Sequence, residues 1–224
     1  MHNFFLHKNI LIFRRFFNSA NRFYYINFLR FWLLYKYMKC SQFKSLFDAD
    51  LYRWQHEMNL ATSGYYAQFV FLLTKRKDFR NIYYLRCPNF PKSLKFLCRE
   101  NVRLELASHN EDNYIEGGAL YFEHSFSTII RAKYVGKGCI FRQNSTIGTK
   151  ATDKPLDAPV IKEYVDFGAN VVCIGSITIG ANAVIGAGSV VVKNVPDNAI
   201  VVGNPARIIG YNDKKRHNEN YYNS

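Results

Sequence analysis

From Val135 onward an apolar residue recurs every six positions: Val135, Phe141 and Ile147, then, after a break, Ile161, Phe167, Cys173, Ile179, Ile185 and Val191. A small or apolar residue follows each by four places: Cys139, Ser145, Ala151, Val165, Val171, Ile177, Ala183, Ser189 and Val195. A period of six matches neither the 3.6-residue repeat of an amphipathic helix nor the two-residue alternation of a half-buried strand. It predicts a solenoid of short strands and tight turns, each repeated apolar residue entering a narrow shared interior. Gly follows the repeated position at 136, 148, 168, 180 and 186, and Asn170 and Asn182 suit turns with left-handed backbone geometry.

The first half follows another rule. Apolar and basic residues mix at helical spacing (Phe28, Phe31, Trp32, Tyr35), and no proline occurs before Pro88. The segment CPNFPKS, Cys87–Ser93, reads as a break between helices. The expected architecture is α+β. Residues 1–112 form a basic, aromatic-rich helical region, residues 113–211 a parallel β-solenoid, and residues 212–224 a polar tail.

Charge sharpens that division. The net charge is +13, and residues 1–104 carry 18 basic and 5 acidic side chains, so the second half is neutral. Residues 1–47 hold eight basic side chains and no acid. That segment suits an anionic membrane surface, although basic side chains snorkelling from helix packing would look the same. No nucleic-acid-binding motif accompanies the charge. The five cysteines (Cys40, Cys87, Cys98, Cys139, Cys173) are widely spaced, with no CxxC. They disfavour a disulfide scaffold or zinc site and suit a reducing compartment. Basic residues interrupt the apolar N-terminus, so a cleaved signal peptide is not expected. Neither charge-free run, Met58–Thr74 or Phe167–Val192, reads as a membrane span. The expected location is the cytoplasm, with peripheral attachment to the inner face of the membrane as an option.

The stretch Pro159–Gly210, with its closing Gly-Asn-Pro-Ala-Arg (Gly203–Arg207), resembles the hexapeptide-repeat acyltransferases. It is most similar to their serine acetyltransferase-like and polysaccharide O-acetyltransferase branch. The resemblance covers about residues 113–211, and Lys77–Arg86 also resembles the helix preceding the solenoid in serine acetyltransferases. It implies a left-handed parallel β-helix, assembly as a homotrimer, acetyl-CoA as the acetyl donor and no metal.

The same resemblance nominates site residues. His124, preceded by Phe122 and Glu123, occupies the family's apolar-acid-histidine pattern, which implies a catalytic base. Imidazole titrates near neutrality and can take a hydroxyl proton as the oxygen attacks a thioester. Glu123 is expected to contact the acceptor rather than orient the ring, because neighbouring strand residues point to opposite faces. The orienting carboxylate would lie upstream, with Glu111 and Asp112 nearby. Ala169 and Ala187 match alanines that contact coenzyme A in the family, with Gly148 and Arg207 as further candidates. Cys139 and Cys173 occupy inward repeat positions, which favours direct transfer over an acyl-cysteine intermediate.

One departure bears on the acceptor. Serine acetyltransferases carry an Arg-His pair before the proline that opens the next repeat; here Asp157 and Ala158 precede Pro159. The side chains that would hold an amino-acid carboxylate are missing, so a sugar hydroxyl of a surface polysaccharide becomes the expected acceptor. The loop Thr149–Ala158 interrupts the repeat and is expected to help build the site. The rivals are a serine O-acetyltransferase and a non-catalytic trimeric scaffold at the membrane.

Overall fold

The computed structural model describes residues 22–60, 64–101, 104–106, 114–115, 117–151 and 157–212. Four helices come first: α1 (Arg22–Lys39), α2 (Lys44–Glu57), α3 (Tyr65–Lys75) and α4 (Lys77–Arg86). A 3₁₀ turn at Lys92–Leu97 follows the two prolines. Fifteen short strands complete the described residues. They are β1 (Leu104–Leu106), β2 (Tyr114–Ile115), β3 (Tyr121–Glu123), β4 (Thr128–Ile130) and β5 (Tyr134–Val135). Next come β6 (Ile140–Arg142), β7 (Thr146–Gly148), β8 (Val160–Ile161), β9 (Asp166–Phe167) and β10 (Val172–Ile174). The last are β11 (Thr178–Ile179), β12 (Val184–Ile185), β13 (Val190–Val191), β14 (Ala199–Val202) and β15 (Arg207–Tyr211).

The strands form three sheets, ordered β1-β4-β7-β10-β13, β11-β8-β5-β2 and β15-β14-β12-β9-β6-β3. Up to β13 every third strand therefore returns to the same sheet one layer on; β14 then joins β12, and the pairing is parallel until β15 turns back on β14. Strand pairing starts at Leu104, ahead of residue 113, where the family resemblance begins.

The six-residue period marks the interior. Val135, Phe141, Ile147, Ile161, Phe167, Cys173, Ile179, Ile185 and Val191 are all buried. Adjacent coils stack equivalent side chains: the rings of Phe122, Phe141 and Phe167 lie nearly parallel, with centroids 5.5 and 5.1 Å apart. The coil corners are tight enough to demand glycine. A Cβ on Gly168 would lie 2.5 Å from the backbone nitrogen of Ala187 in the next coil. Asn170 and Asn182 adopt φ of 59° and 58°, the left-handed turn geometry their sequence positions suggested.

The helices pack around an aromatic cluster of Phe47, Trp54, Phe69, Phe79 and Tyr83, continuous with the interior of the coils. They join the first coil through Arg86, the last residue of α4, which is fully buried. Its guanidinium donates to Asp50 Oδ2 at 2.9 Å, to the Ile115 carbonyl at 2.8 Å and to the Gly117 carbonyl at 2.5 Å. Asp50 Oδ1 in turn accepts the Leu120 N–H at 2.9 Å. Burial pushes the Asp50 carboxyl above its ordinary range, and the Arg86 charge and these hydrogen bonds oppose that push.

Candidate active site

His124 follows β3 directly, at a corner that departs from the repeat. Eight residues separate the inward Phe122 from the inward Ile130, against six between their neighbours Phe141 and Ile147 in the next coil. The two additional residues swell the corner outward. His124 and Ser127 both take left-handed φ, at 54° and 52°, and the Phe126 N–H closes a tight turn onto the His124 carbonyl at 2.5 Å. The imidazole is exposed, and Phe126 beside it is half exposed.

Glu123 and Arg142 pair across β3 and β6. Arg142 Nε donates to Glu123 Oε2 at 2.7 Å, while its Nη1 donates to Asp166 Oδ1 and to the Phe167 carbonyl at 3.1 Å. One arginine thus bridges acids of the coils on either side of it. Glu123 stays partly open to solvent while Asp166 is buried. Both Glu123 and Arg142 stand where later coils place Gly168 and Gly186, directly after the inward residue. Opposite charges in that slot of consecutive coils were a readable signal for the pair, and for Arg142 as a site residue.

The position after this slot runs His124, Gln143, Ala169 and Ala187 down consecutive coils, continuing the registers of β3, β6, β9 and β12. Backbone bonds from the Asn170 N–H to the Gln143 carbonyl and from the Gly188 N–H to the Ala169 carbonyl hold this corner together. Coils are about 4.8 Å apart, so Ala169 lies about 10 Å along the column from His124 and Ala187 about 15 Å. Arg207 pairs with Val202 at the end of the same sheet and is exposed. The fold therefore brings His124, Ala169, Ala187 and Arg207 to one edge. Gly148 is not with them: it ends β7 in another sheet, opposite Ile174. A Cβ there would meet nothing closer than 3.9 Å, so no close approach requires glycine.

Residues 168, 169, 186 and 187 are all Gly or Ala, so no side chain longer than a methyl stands at this edge, and Arg207 lies at its end. One cavity of about 360 Å³ lies by Val191–Val195 and includes Arg207, and another of about 290 Å³ lies between α4 and β1.

The helical region supports the His124 corner from behind. Ser125 Oγ donates to Asp78 Oδ1 at 2.6 Å, and Asn101 Nδ2 reaches the same oxygen at 2.6 Å. Trp54 Nε1 donates to the Leu120 carbonyl at 2.8 Å, and Arg76 Nη2 reaches the Phe122 carbonyl at 3.4 Å. Asp78, Trp54 and Arg76 are supports the sequence did not flag, since nothing local in a helix names its distant partner. Glu111 and Asp112, the candidate orienting acids, lie outside the described residues, as do residues 152–156 of the interrupting loop and residues 213–224 of the tail. Cys139 and Cys173 are buried, and desolvation pushes both thiols up to about 12, consistent with interior roles. Among the described residues no group of three or more His, Cys, Asp or Glu side chains could hold a metal ion.

A stack of three-stranded coils built on a six-residue repeat is the fold of the hexapeptide-repeat acyltransferases, and the chain is similar in sequence to named acetyltransferases. This chain is related to that family. It is 41% identical over 93 residues to an Escherichia coli protein with the provisional name colanic acid biosynthesis acetyltransferase WcaB, covering 41% of this chain and 57% of the relative. It is 32% identical over 129 residues to the serine acetyltransferase of Synechococcus elongatus, covering 57% of this chain and 51% of the relative. The chain spans about half the length of the curated relatives it matches. Among solved structures, Neisseria gonorrhoeae serine acetyltransferase superimposes with a TM-score of 0.60 at 27% identity, covering 77% of this chain and 67% of that one. Brucella abortus serine acetyltransferase, solved in complex with coenzyme A, shares the fold with a TM-score of 0.55 at 23% identity, covering 76% of this chain and 69% of that one. No family model matches the chain.

Proposed function

We propose that the chain is an acetyl-CoA-dependent O-acetyltransferase that acetylates a sugar hydroxyl in surface polysaccharide biosynthesis. The observation that carries this reading is the exposed imidazole of His124 at the head of a column continued by Ala169 and Ala187. The coil is read as left-handed and the active sites as lying between subunits of a homotrimer, both from the family resemblance. The relative named for colanic acid biosynthesis supports a polysaccharide acceptor. Asp157 and Ala158, in place of an Arg-His pair, support an acceptor without an amino-acid carboxylate.

In this mechanism Ala169, Ala187 and Arg207 line the path of the donor's arm and anionic end. His124 takes the acceptor hydroxyl proton as the oxygen attacks the thioester carbonyl. The C–S bond then breaks, and the departing thiolate takes the proton back from the imidazolium. Glu123, fixed by Arg142, faces the acceptor. A positioned general base accelerates such a step by about 10²–10⁴-fold. The deciding experiment incubates the purified full chain with acetyl-CoA and a panel of nucleotide sugars and oligosaccharides, with mass-spectrometric detection of acetylated product. His124→Ala should lower kcat by about 10²–10⁴-fold and leave the oligomer intact; unchanged turnover would remove His124 from its role.

A second reading, serine O-acetyltransferase, draws on the superposition with serine acetyltransferase structures across the helices as well as the coils. Robust serine-dependent release of coenzyme A would favour it over a sugar acceptor. A chain that turns over no acceptor while still forming trimers would favour the scaffold reading.

A further inference from the structure

Helix α1 carries apolar residues on two faces. Asn27, Phe31, Leu34 and Met38 are buried against the other helices. On the second face a ridge of Ile26, Leu29, Leu33 and Tyr37 faces solvent, with Leu29 77% and Ile26 62% exposed. Helical spacing of three, four and four residues aligns these four along the axis. Basic residues flank the ridge, Arg30 on one side and Lys36 and Lys39 on the other, with Trp32 half exposed between them. Arg30 Nη2 donates to the Phe96 carbonyl at 3.2 Å, which joins the ridge to the 3₁₀ turn, where Phe96 is 61% exposed beside the exposed Lys92. Among the described residues, six of the eleven exposed large apolar side chains lie on this surface.

We propose that this surface docks the protein onto an anionic lipid membrane, with the α1 ridge and Phe96 entering the headgroup boundary and Arg30, Lys36, Lys39 and Lys92 meeting lipid phosphates. Charge selects the occupant. Helix α1 carries four basic residues and no acid, so a second copy seated on it would oppose cation to cation. A leaflet rich in anionic lipid matches instead, each basic residue near it strengthening binding by roughly fivefold. The mode is interfacial, because no described helix is long and apolar enough to cross a membrane. The inference is independent of the proposed chemistry.

The chain has two tryptophans, and they differ sharply. Trp54 is fully buried and bonded to the Leu120 carbonyl, while Trp32 is half exposed on the docking surface. A change in emission on adding vesicles therefore reports Trp32. The full chain is titrated with vesicles of phosphatidylglycerol and phosphatidylcholine, or of phosphatidylcholine alone, with fluorescence and co-sedimentation as readouts. A blue shift and co-sedimentation with the anionic vesicles, weakened by salt, are expected. Leu29→Gln with Leu33→Gln keeps every charge and good helix propensity, and should weaken binding at least about tenfold. Binding unchanged in that variant, or no Trp32 shift with anionic vesicles, would overturn the proposal. So would acrylamide protection of Trp32 in the lipid-free protein, which would mean that residues 1–21 or a second copy already cover the ridge.

Discussion

Replacing Arg86 with methionine tests how the helices and coils are joined. The side chain is fully buried and satisfies three acceptors on α2 and the first coil: the Asp50 carboxylate and the carbonyls of Ile115 and Gly117. Methionine fills much of the volume and supplies no donor, leaving a buried carboxylate whose remaining partners are the backbone groups of Leu120 and Ala119. Breaking a buried pair in this way costs about 3–5 kcal/mol, a large share of a domain's total stability of about 5–15 kcal/mol. The loss should depend on pH. Burial already pushes the Asp50 carboxyl up, and Arg86 is the largest influence opposing it. Without Arg86 the folded carboxyl rises further above its unfolded value of about 3.9. Between those two values the folded variant holds a proton that the unfolded chain has lost, so its stability falls as pH rises through that window. The deficit against wild type should therefore shrink as pH drops from 7 toward 5. Urea unfolding followed by circular dichroism at both pH values measures it. Adding Asp50→Asn should recover part of the loss at pH 7, because the amide oxygen still accepts the Leu120 N–H without a buried charge. A deficit below about 0.5 kcal/mol, or one that grows on acidification, would refute the reasoning.

Other expectations concern the coils. Arg142→Met leaves the Glu123 and Asp166 carboxylates without their shared cation. It should raise the acceptor KM more than it lowers kcat; a selective fall in kcat would assign Arg142 elsewhere. Gly168→Val puts a branched side chain 2.5 Å from the Ala187 nitrogen and must push two coils apart. It should cost about 1–3 kcal/mol, read as a lower melting temperature together with weaker coenzyme A binding. Desolvation pushes the Cys87 thiol up to about 11 and those of Cys98, Cys139 and Cys173 up to about 12, whereas Cys40 is exposed. A chromogenic disulfide reagent at pH 8 should find one fast thiol in the native protein and five in denaturant; several fast thiols in the native protein would contradict the buried placement.

The coils were legible because their physics is local. Each corner repeats one steric demand, and each inward side chain repeats one packing demand, so the six-residue period located nearly every buried residue from Val135 to Val191. The His124 corner broke the rule that made the rest readable. Its two additional residues erase the period upstream of Val135, which is why Phe122 and Ile130 did not register as interior and why β1 was not anticipated. The helix Lys77–Arg86 was found to the residue, yet its function as a clamp was invisible, since Arg86 finds its partners 29 to 36 positions away.

Those long-range contacts change what the helical region does. Trp54, Arg76 and Asp78 bond to Leu120, Phe122 and Ser125, so two helix residues and the residue joining α3 to α4 hold the backbone and side chains on both sides of the candidate catalytic segment. The later coils keep their corners by repetition, each braced by the next. The irregular corner has a regular neighbour on one side, and on the other it leans on the helices. A solenoid can thus place a histidine outside its own repeat, provided another layer supplies the bracing that the missing period would have given. The separation of a basic helical half from a neutral repetitive half is then a division of labour within one site, in which α2, α4 and the residue before α4 fix a turn that the coil alone would leave loose.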